Sequence, residues 1–173
     1  MPQRRAQTLI SVAAAALLVL SGCTLSDPEQ PDREPNTEVP TQDGNEQVLA
    51  TKLEAPWSFI ELSSGSILIT ERDSRKLLEL GNDGSMHTIA TIDEVVPAGE
   101  GGLLGIAVNP MDETELFLYF TAHNDNRVVK YRLDGSSGNF SLFNPEVIVS
   151  DIPKAGNHNG GRIAFGPDQK LYI

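Results

Sequence analysis

The sequence predicts an all-β protein built as a β-propeller of four-stranded antiparallel blades. From Val48 onward, short apolar runs alternate with turns rich in Gly, Asn, Asp and Ser, and no stretch combines a helical period with helix length. Similar units begin at Ser58, Gly105 and Arg162, at spacings of 47 and 57 residues. Such a period, with about four strands per unit, is typical of propeller blades. The repeat alone leaves an ordinary β-sandwich open as the alternative.

Each repeated unit divides into short strands joined by tight turns. The first two units each contain four predicted strands, near 58–62, 66–71, 75–80 and 86–92, and near 103–109, 115–122, 127–133 and 145–150. The third unit, "RIAFGPDQKLYI", holds only two. About two and a half blades leave open strand edges and half-covered apolar faces. We therefore expect residues 48–173 to be the N-terminal part of a longer, truncated propeller domain.

The N-terminal segment, residues 1–22, has the features of a secretory signal. Arg4 and Arg5 precede an apolar run over 12–20 that is too short to span a bilayer as an ordinary helix. The following "LSGC" resembles the lipobox of bacterial lipoproteins, which implies that Cys23 is lipidated and becomes the new N-terminus. We expect a lipid anchor in the cell membrane, on its extracytoplasmic face. A plain signal peptide with an incidental cysteine is the alternative.

Residues 23–47 are predicted to form a disordered acidic tether. The stretch from 24 to 47 has four prolines, seven acidic residues, one arginine and almost no apolar side chain to bury. The whole chain carries a net charge of −11, and loss of residues 1–22 with their two arginines leaves 11 basic against 24 acidic residues, or −13. This charge argues against nucleic acid as a partner, because polyanions bind basic surfaces.

Four motifs resemble the glucose/sorbosone dehydrogenase family: "PWSF", "GEGGLLGIAVNP", "NRVVKYRLDG" and "NHNGGRIAFGPDQKLYI". The resemblance extends from about Leu49 to Ile173, although the family more often has glycine where Ser58 stands. It implies a six-bladed propeller and a quinoprotein that uses pyrroloquinoline quinone (PQQ) and calcium to oxidise aldose sugars at C1 to lactones, by hydride transfer to the quinone. Most cofactor and calcium ligands are expected beyond residue 173. The physiological sugar and the electron acceptor stay unassigned.

The resemblance places the catalytic base, beside the cofactor, at His158. An imidazole titrates near neutrality and can therefore accept the proton of a sugar hydroxyl. Gly156, Gly160 and Gly161 would let the backbone approach a flat cofactor closely. From the residues alone, a histidine that caps a turn is the alternative.

The resemblance also suggests two substrate-binding positions. Glu100 stands where some relatives have a glutamine that contacts the sugar, and Asn157 stands where some have an aspartate beside the base. The departure at Asn157 leaves the sugar preference open. Arg162 either holds the loop through a carboxylate or faces solvent.

The remaining histidines and the glycine-rich motif do not indicate a second functional site. His123, in "AHNDNR", is predicted to lie in a hairpin turn and His87 to be an exposed strand residue; neither has partners at metal-ligand spacing, so no metal ligand is assigned within the chain. "GEGGLLG" lacks the last glycine of G-x-G-x-x-G. The alternative to an enzyme is a non-catalytic, lipid-anchored propeller that binds carbohydrate or protein.

Overall fold

Ten β-strands and no helix make up residues 47–173, the part of the chain that the computed structural model describes. The first repeat contains β1 (Pro56–Glu61), β2 (Ile67–Glu71), β3 (Lys76–Leu80) and β4 (Met86–Thr91). The second contains β5 (Leu103–Asn109), β6 (Asp112–Thr121), β7 (Asn126–Asp134) and β8 (Ser141–Ile152). The third contains β9 (Ala164–Phe165) and β10 (Leu171–Tyr172). The all-β prediction is confirmed.

Every predicted strand is present, with small shifts at the ends. The largest is at β8, which begins at Ser141 although the apolar run predicted a start near 145. The predicted signal, lipidation site and most of the tether lie outside the described residues. Within residues 47–173, no helix is long and apolar enough to cross a membrane.

Each repeat forms its own antiparallel sheet, in the orders β1-β2-β3-β4, β5-β6-β7-β8 and β9-β10. The first strands of the repeats lie side by side, since β5 contacts both β1 and β9. Successive four-stranded sheets with adjacent first strands are the expected arrangement of neighbouring propeller blades. Closure of a complete propeller stays a prediction.

In the second sheet, β5 and the C-terminal half of β6 are buried on both faces, which explains their nearly continuous apolar sequence, whereas the outer strand β8 is largely exposed. In β5, Leu103 packs with Leu77 of the first sheet in one core, and the next residue, Leu104, packs with Phe117 and Ile163 in another. Both β5 leucines have no exposed surface. Because alternate residues of a strand point to opposite faces, consecutive leucines serve two separate cores.

The loops that carry the predicted site residues meet at one end of the sheets, which we call the upper end, where the first strand of each repeat begins. In a four-stranded meander, the segment leading into the first strand and the turn between the second and third strands lie at the same end. The upper end therefore gathers the loops 92–102 and 153–163 and the turns 72–75 and 122–125. Backbone hydrogen bonds join them: Leu103 N–H donates to Arg72 O at 3.1 Å and Thr121 N–H to Gly102 O at 2.9 Å.

Candidate functional site

The loop before β9 presents His158 at an exposed corner of the upper end. His158 has a φ of 60°, in the left-handed region that side chains other than glycine rarely occupy. Its backbone N–H donates a hydrogen bond of 2.8 Å to Oε2 of Glu100, 58 residues earlier in the chain. The N–H of Glu100 in turn donates to Gly156 O at 2.9 Å. The structure thus brings together two of the residues predicted from sequence, through reciprocal contacts between their loops.

Glycine is required where these two loops touch. Gly99 has a φ of 59°, and a Cβ atom on it would lie 2.1 Å from Gly156 O. A Cβ on Gly161 would lie 2.8 Å from Cβ of Leu104 in β5. Close packing of the His158 loop against its neighbours within the chain therefore explains why both positions are glycine. Gly156 and Gly160 have more space, because a Cβ on Gly160 would meet only the Tyr119 hydroxyl, at 3.9 Å.

Beneath His158 lies a buried polar network that sequence reasoning missed. Asn126, the first residue of β7, donates from Nδ2 to Pro153 O at 2.9 Å and to Oδ1 of Asn159 at 3.2 Å. Its Oδ1 accepts from the Thr121 hydroxyl at 2.6 Å. The hydroxyl of Tyr119, whose pKa burial raises, donates to Asn159 O at 2.8 Å. Both asparagines lie inside quoted motifs, but no local pattern indicates that they meet.

Arg162 is exposed, in agreement with the solvent-facing alternative drawn from the sequence. Its guanidinium carbon lies 4.9 Å from the centroid of the Trp57 ring, a cation–π contact between the His158 loop and β1. The salt bridges among residues 47–173 do not include Arg162. The arginine therefore helps to dock the loop through an aromatic face and not through a carboxylate.

The remaining predicted residues lie near or away from this corner. Asn157 is exposed next to His158, and His123 is exposed in the β6–β7 turn, as predicted. The prediction of an exposed His87 is wrong: it is half-buried in β4, because the β7–β8 turn at Gly138 lies beside the ring, and its Nε2 is 2.8 Å from the Ser85 hydroxyl. Across the described part of the chain, no group of three or more His, Cys, Asp or Glu side chains is placed to hold a metal.

An ion pair in a neighbouring turn of the upper end acts electrostatically on Glu100. Arg72, in the β2–β3 turn, pairs with Asp73 at 2.7 Å. Hydrogen bonding to Asp73 raises the pKa of Arg72 and the field of Glu100 raises it further, although desolvation opposes both. The same hydrogen bond lowers the pKa of Asp73. The upper end thus places the Glu100 carboxylate within the field of a fixed cation, beside an exposed imidazole.

A family model matches nearly all of the part of the chain that the structure describes. Residues 53–173 match the family model described as Glucose / Sorbosone dehydrogenase. The chain therefore belongs to the glucose/sorbosone dehydrogenase family, and the resemblance seen in its motifs is confirmed.

Individual relatives agree with this assignment. The chain is 26% identical over 141 residues to quinoprotein glucose dehydrogenase B of Acinetobacter calcoaceticus, covering 74% of this chain and 30% of the relative. Among solved structures it is similar to the PQQ-bound form of an aldose sugar dehydrogenase from Streptomyces coelicolor, with 38% identity, a TM-score of 0.67, and coverage of 72% of this chain and 39% of that one. An oxidoreductase (glucose dehydrogenase) of Thermus thermophilus matches at 34% identity and a TM-score of 0.64, over 73% and 39%. The chain spans about a third of the length of the curated relatives it matches.

Proposed function

We propose that the full-length protein is a PQQ-dependent aldose dehydrogenase that oxidises the C1 hydroxyl of a sugar to a lactone. We further propose that lipid on Cys23 anchors it to the extracytoplasmic face of the cell membrane. The main structural support is the corner at His158, an exposed imidazole on a backbone that the surrounding loops hold in the left-handed region. Such residues concentrate at functional sites, because a strained conformation persists only where the surroundings impose it.

His158 is suited to accept the C1 hydroxyl proton. Its backbone N–H is engaged by Glu100, whereas neither ring nitrogen hydrogen-bonds to another residue in 47–173. The ring is therefore available to a substrate, and a neutral imidazole accepts a proton near neutral pH. When bound, PQQ supplies the quinone that takes up the hydride from C1. The loop fixes the backbone from which the imidazole projects, which lowers the entropic cost of bringing base and hydroxyl together.

The donors and acceptors at the upper end fit one side of such a site. One oxygen of Glu100 holds the His158 corner, and the carboxylate is exposed to accept hydrogen bonds from sugar hydroxyls. Asn157, exposed beside the base, offers an amide to the same substrate. The carboxylates of PQQ need cationic partners, but Arg72 is paired with Asp73 and Arg162 stacks on an aromatic ring. We propose that residues beyond 173 hold those carboxylates and the calcium.

The experiment that tests this function is a pair of histidine substitutions in the full-length protein reconstituted with PQQ and calcium. Dye reduction over a panel of aldoses should fall by about 10²- to 10⁴-fold in His158→Gln while PQQ still binds, because glutamine cannot accept the proton. His123→Gln, an exposed histidine in the neighbouring β6–β7 turn, is the control and should retain normal turnover.

Two results would contradict the proposal. Near-normal turnover in His158→Gln would make the catalytic assignment wrong and leave the histidine as a turn residue. A wild-type protein that binds aldoses in calorimetry but never reduces the dye would instead favour the non-catalytic, carbohydrate-binding propeller.

A further inference from the structure

The His158 corner needs support from elsewhere in the molecule. The residue is exposed, lies outside any strand and adopts a φ of 60°. A side chain in the left-handed region is less stable than in the ordinary regions, so an isolated loop would relax away from it. The contact with Glu100 holds the outer, exposed side of the corner. The inner side must be held by the residue that follows, Asn159, which is 5% exposed.

Asn159 closes the loop around His158 into a compact turn. Its Oδ1 accepts the backbone N–H of Ala155 at 3.1 Å, and its Nδ2 donates to Ala155 O at 2.9 Å. One side-chain amide therefore joins both ends of the segment 155–159. The position of His158 follows that of Asn159, because only one peptide unit separates their Cα atoms.

Asn126 fixes this turn to the second sheet. It has no exposed surface, and Nδ2 donates to acceptors on either side of His158, Pro153 O before it and Oδ1 of Asn159 after it. Its own Oδ1 is oriented by the hydroxyl of Thr121 at the end of β6. Only an amide supplies both the donors and the acceptor in this arrangement. A carboxylate at position 126 would place an acceptor oxygen against Pro153 O and Asn159 Oδ1, which are themselves acceptors.

We propose that Asn126 is a positioning residue for His158, acting through Asn159 and Pro153. The inference rests on the proposed function, because the position of His158 affects turnover only if His158 is the catalytic base. The attachment of the loop by Asn126 is a structural claim that can be tested separately. Asn126 lies in β7, 32 residues before His158, and its side chain makes its hydrogen bonds to Thr121, Pro153 and Asn159 and not to His158.

The first test is hydrogen–deuterium exchange of the full-length protein, read in peptides that cover 155–161. Asn126→Ala should raise exchange in this segment about tenfold, because two hydrogen bonds to it are lost. Asn126→Asp keeps the side-chain volume and the bond from Thr121, and should have the same effect. The control is Asn109→Ala, which removes a partly buried amide, bonded to Glu115 at 2.8 Å, at the opposite end of the same sheet. It should leave the segment unchanged.

The second test separates positioning from general loss of structure. At a temperature where circular dichroism shows all variants folded, turnover at saturating aldose should fall about 10- to 100-fold in both Asn126 variants, since displacement of a base by about 1 Å can cost 10²-fold. The sugar KM should change less than turnover, because the substrate contact proposed at Glu100 lies on the other loop, although the contact proposed at Asn157 moves with His158. Asn109→Ala should keep the wild-type turnover.

The outcomes are distinguishable. Unchanged exchange in 155–161 in both Asn126 variants would overturn the positioning role, whatever the activity. Faster exchange with unchanged turnover would also overturn it, because His158 would then act without the support. A wild-type protein that oxidises no aldose would refute the proposed function, while the exchange comparison would still decide whether Asn126 holds the loop.

Discussion

Replacing Gly99 by alanine should lower the free energy of unfolding by more than the cost of placing alanine in the left-handed region, because it also disrupts the contact between the two upper-end loops. Gly99 has a φ of 59°, and the new Cβ would lie 2.1 Å from Gly156 O, whereas ordinary contacts begin at 3.4 Å. The Gly156 carbonyl would have to move by more than about 1 Å to accept the methyl group. Gly84 offers a matched control, with a φ of 79° and nothing within 4 Å of the added Cβ.

The expected magnitudes follow from these geometries. In both variants alanine occupies the left-handed region, which costs about 1 kcal/mol. In Gly99→Ala, the displaced carbonyl also loses the hydrogen bond from Glu100 N–H and weakens the one from His158 N–H to Glu100. The lost bond contributes about 1 kcal/mol and the weakened one less, so the free energy of unfolding should fall by about 1 to 2 kcal/mol more in Gly99→Ala than in Gly84→Ala.

Urea denaturation of the full-length variants, followed by circular dichroism, measures this difference at a common m-value. Exchange in the 155–161 peptides reports whether the loss is local to the contact. If the free energies of unfolding of Gly99→Ala and Gly84→Ala agreed within about 0.5 kcal/mol, the inferred close approach of the two loops would be refuted, since the added methyl group would then meet no clash.

Three further predictions concern other positions. Burial alone would raise the pKa of Asp125, but hydrogen bonds from Asp151 N–H and Arg127 leave that pKa below its ordinary value. The ionised carboxylate therefore stabilises the fold at pH values above the ordinary pKa, and this contribution is lost as the pH falls through the pKa of the folded state. Asp125→Asn should be less stable near pH 7, a gap that narrows in acid unfolding, and a gap independent of pH would contradict this. Cys23→Ser should release the mature protein from membranes in fractionation, and a wild type unlabelled by radioactive fatty acid would rule out the anchor. Glu100→Gln keeps an acceptor for the His158 N–H, so it should change apparent sugar affinity and preference more than turnover in dye reduction; a fall in turnover alone would place its role at the base.

The strands were predicted well because each one is marked by a short apolar run between turn residues that are close in sequence. Short apolar runs separated by turns such as "SSG" and "GNDG" predicted all four strands of the first repeat, with shifts of one or two residues. The turn glycines Gly65 and Gly84 have φ values of 85° and 79°, which few other residues adopt without strain. The start of β8 was missed because residues 141–144 precede Pro145, a residue that disfavours a strand.

The predicted site was partly accessible to the same reasoning. His158 and Glu100 were chosen from motif resemblance, and the structure brings them together at one corner. The stacking of Arg162 on Trp57 was not predicted, because the two residues lie on different repeats and no periodicity links them. The partial burial of His87 depends on the approach of the β7–β8 turn at Gly138, which a strand pattern does not specify.

The sequence by itself determined the strand content and the repeat, since both depend on residue types at short separation, and it singled out His158 through the resemblance of one motif. Only the tertiary structure decided what holds His158 in its loop. Asn126 meets Asn159 across 33 residues, and Gly99 meets Gly156 across the gap between two sheets. Such contacts arise when the sheets pack, because the first strands of the repeats become neighbours and their leading loops meet at one end. The resulting pairs depend on loop paths set by the packed cores, which no local pattern contains.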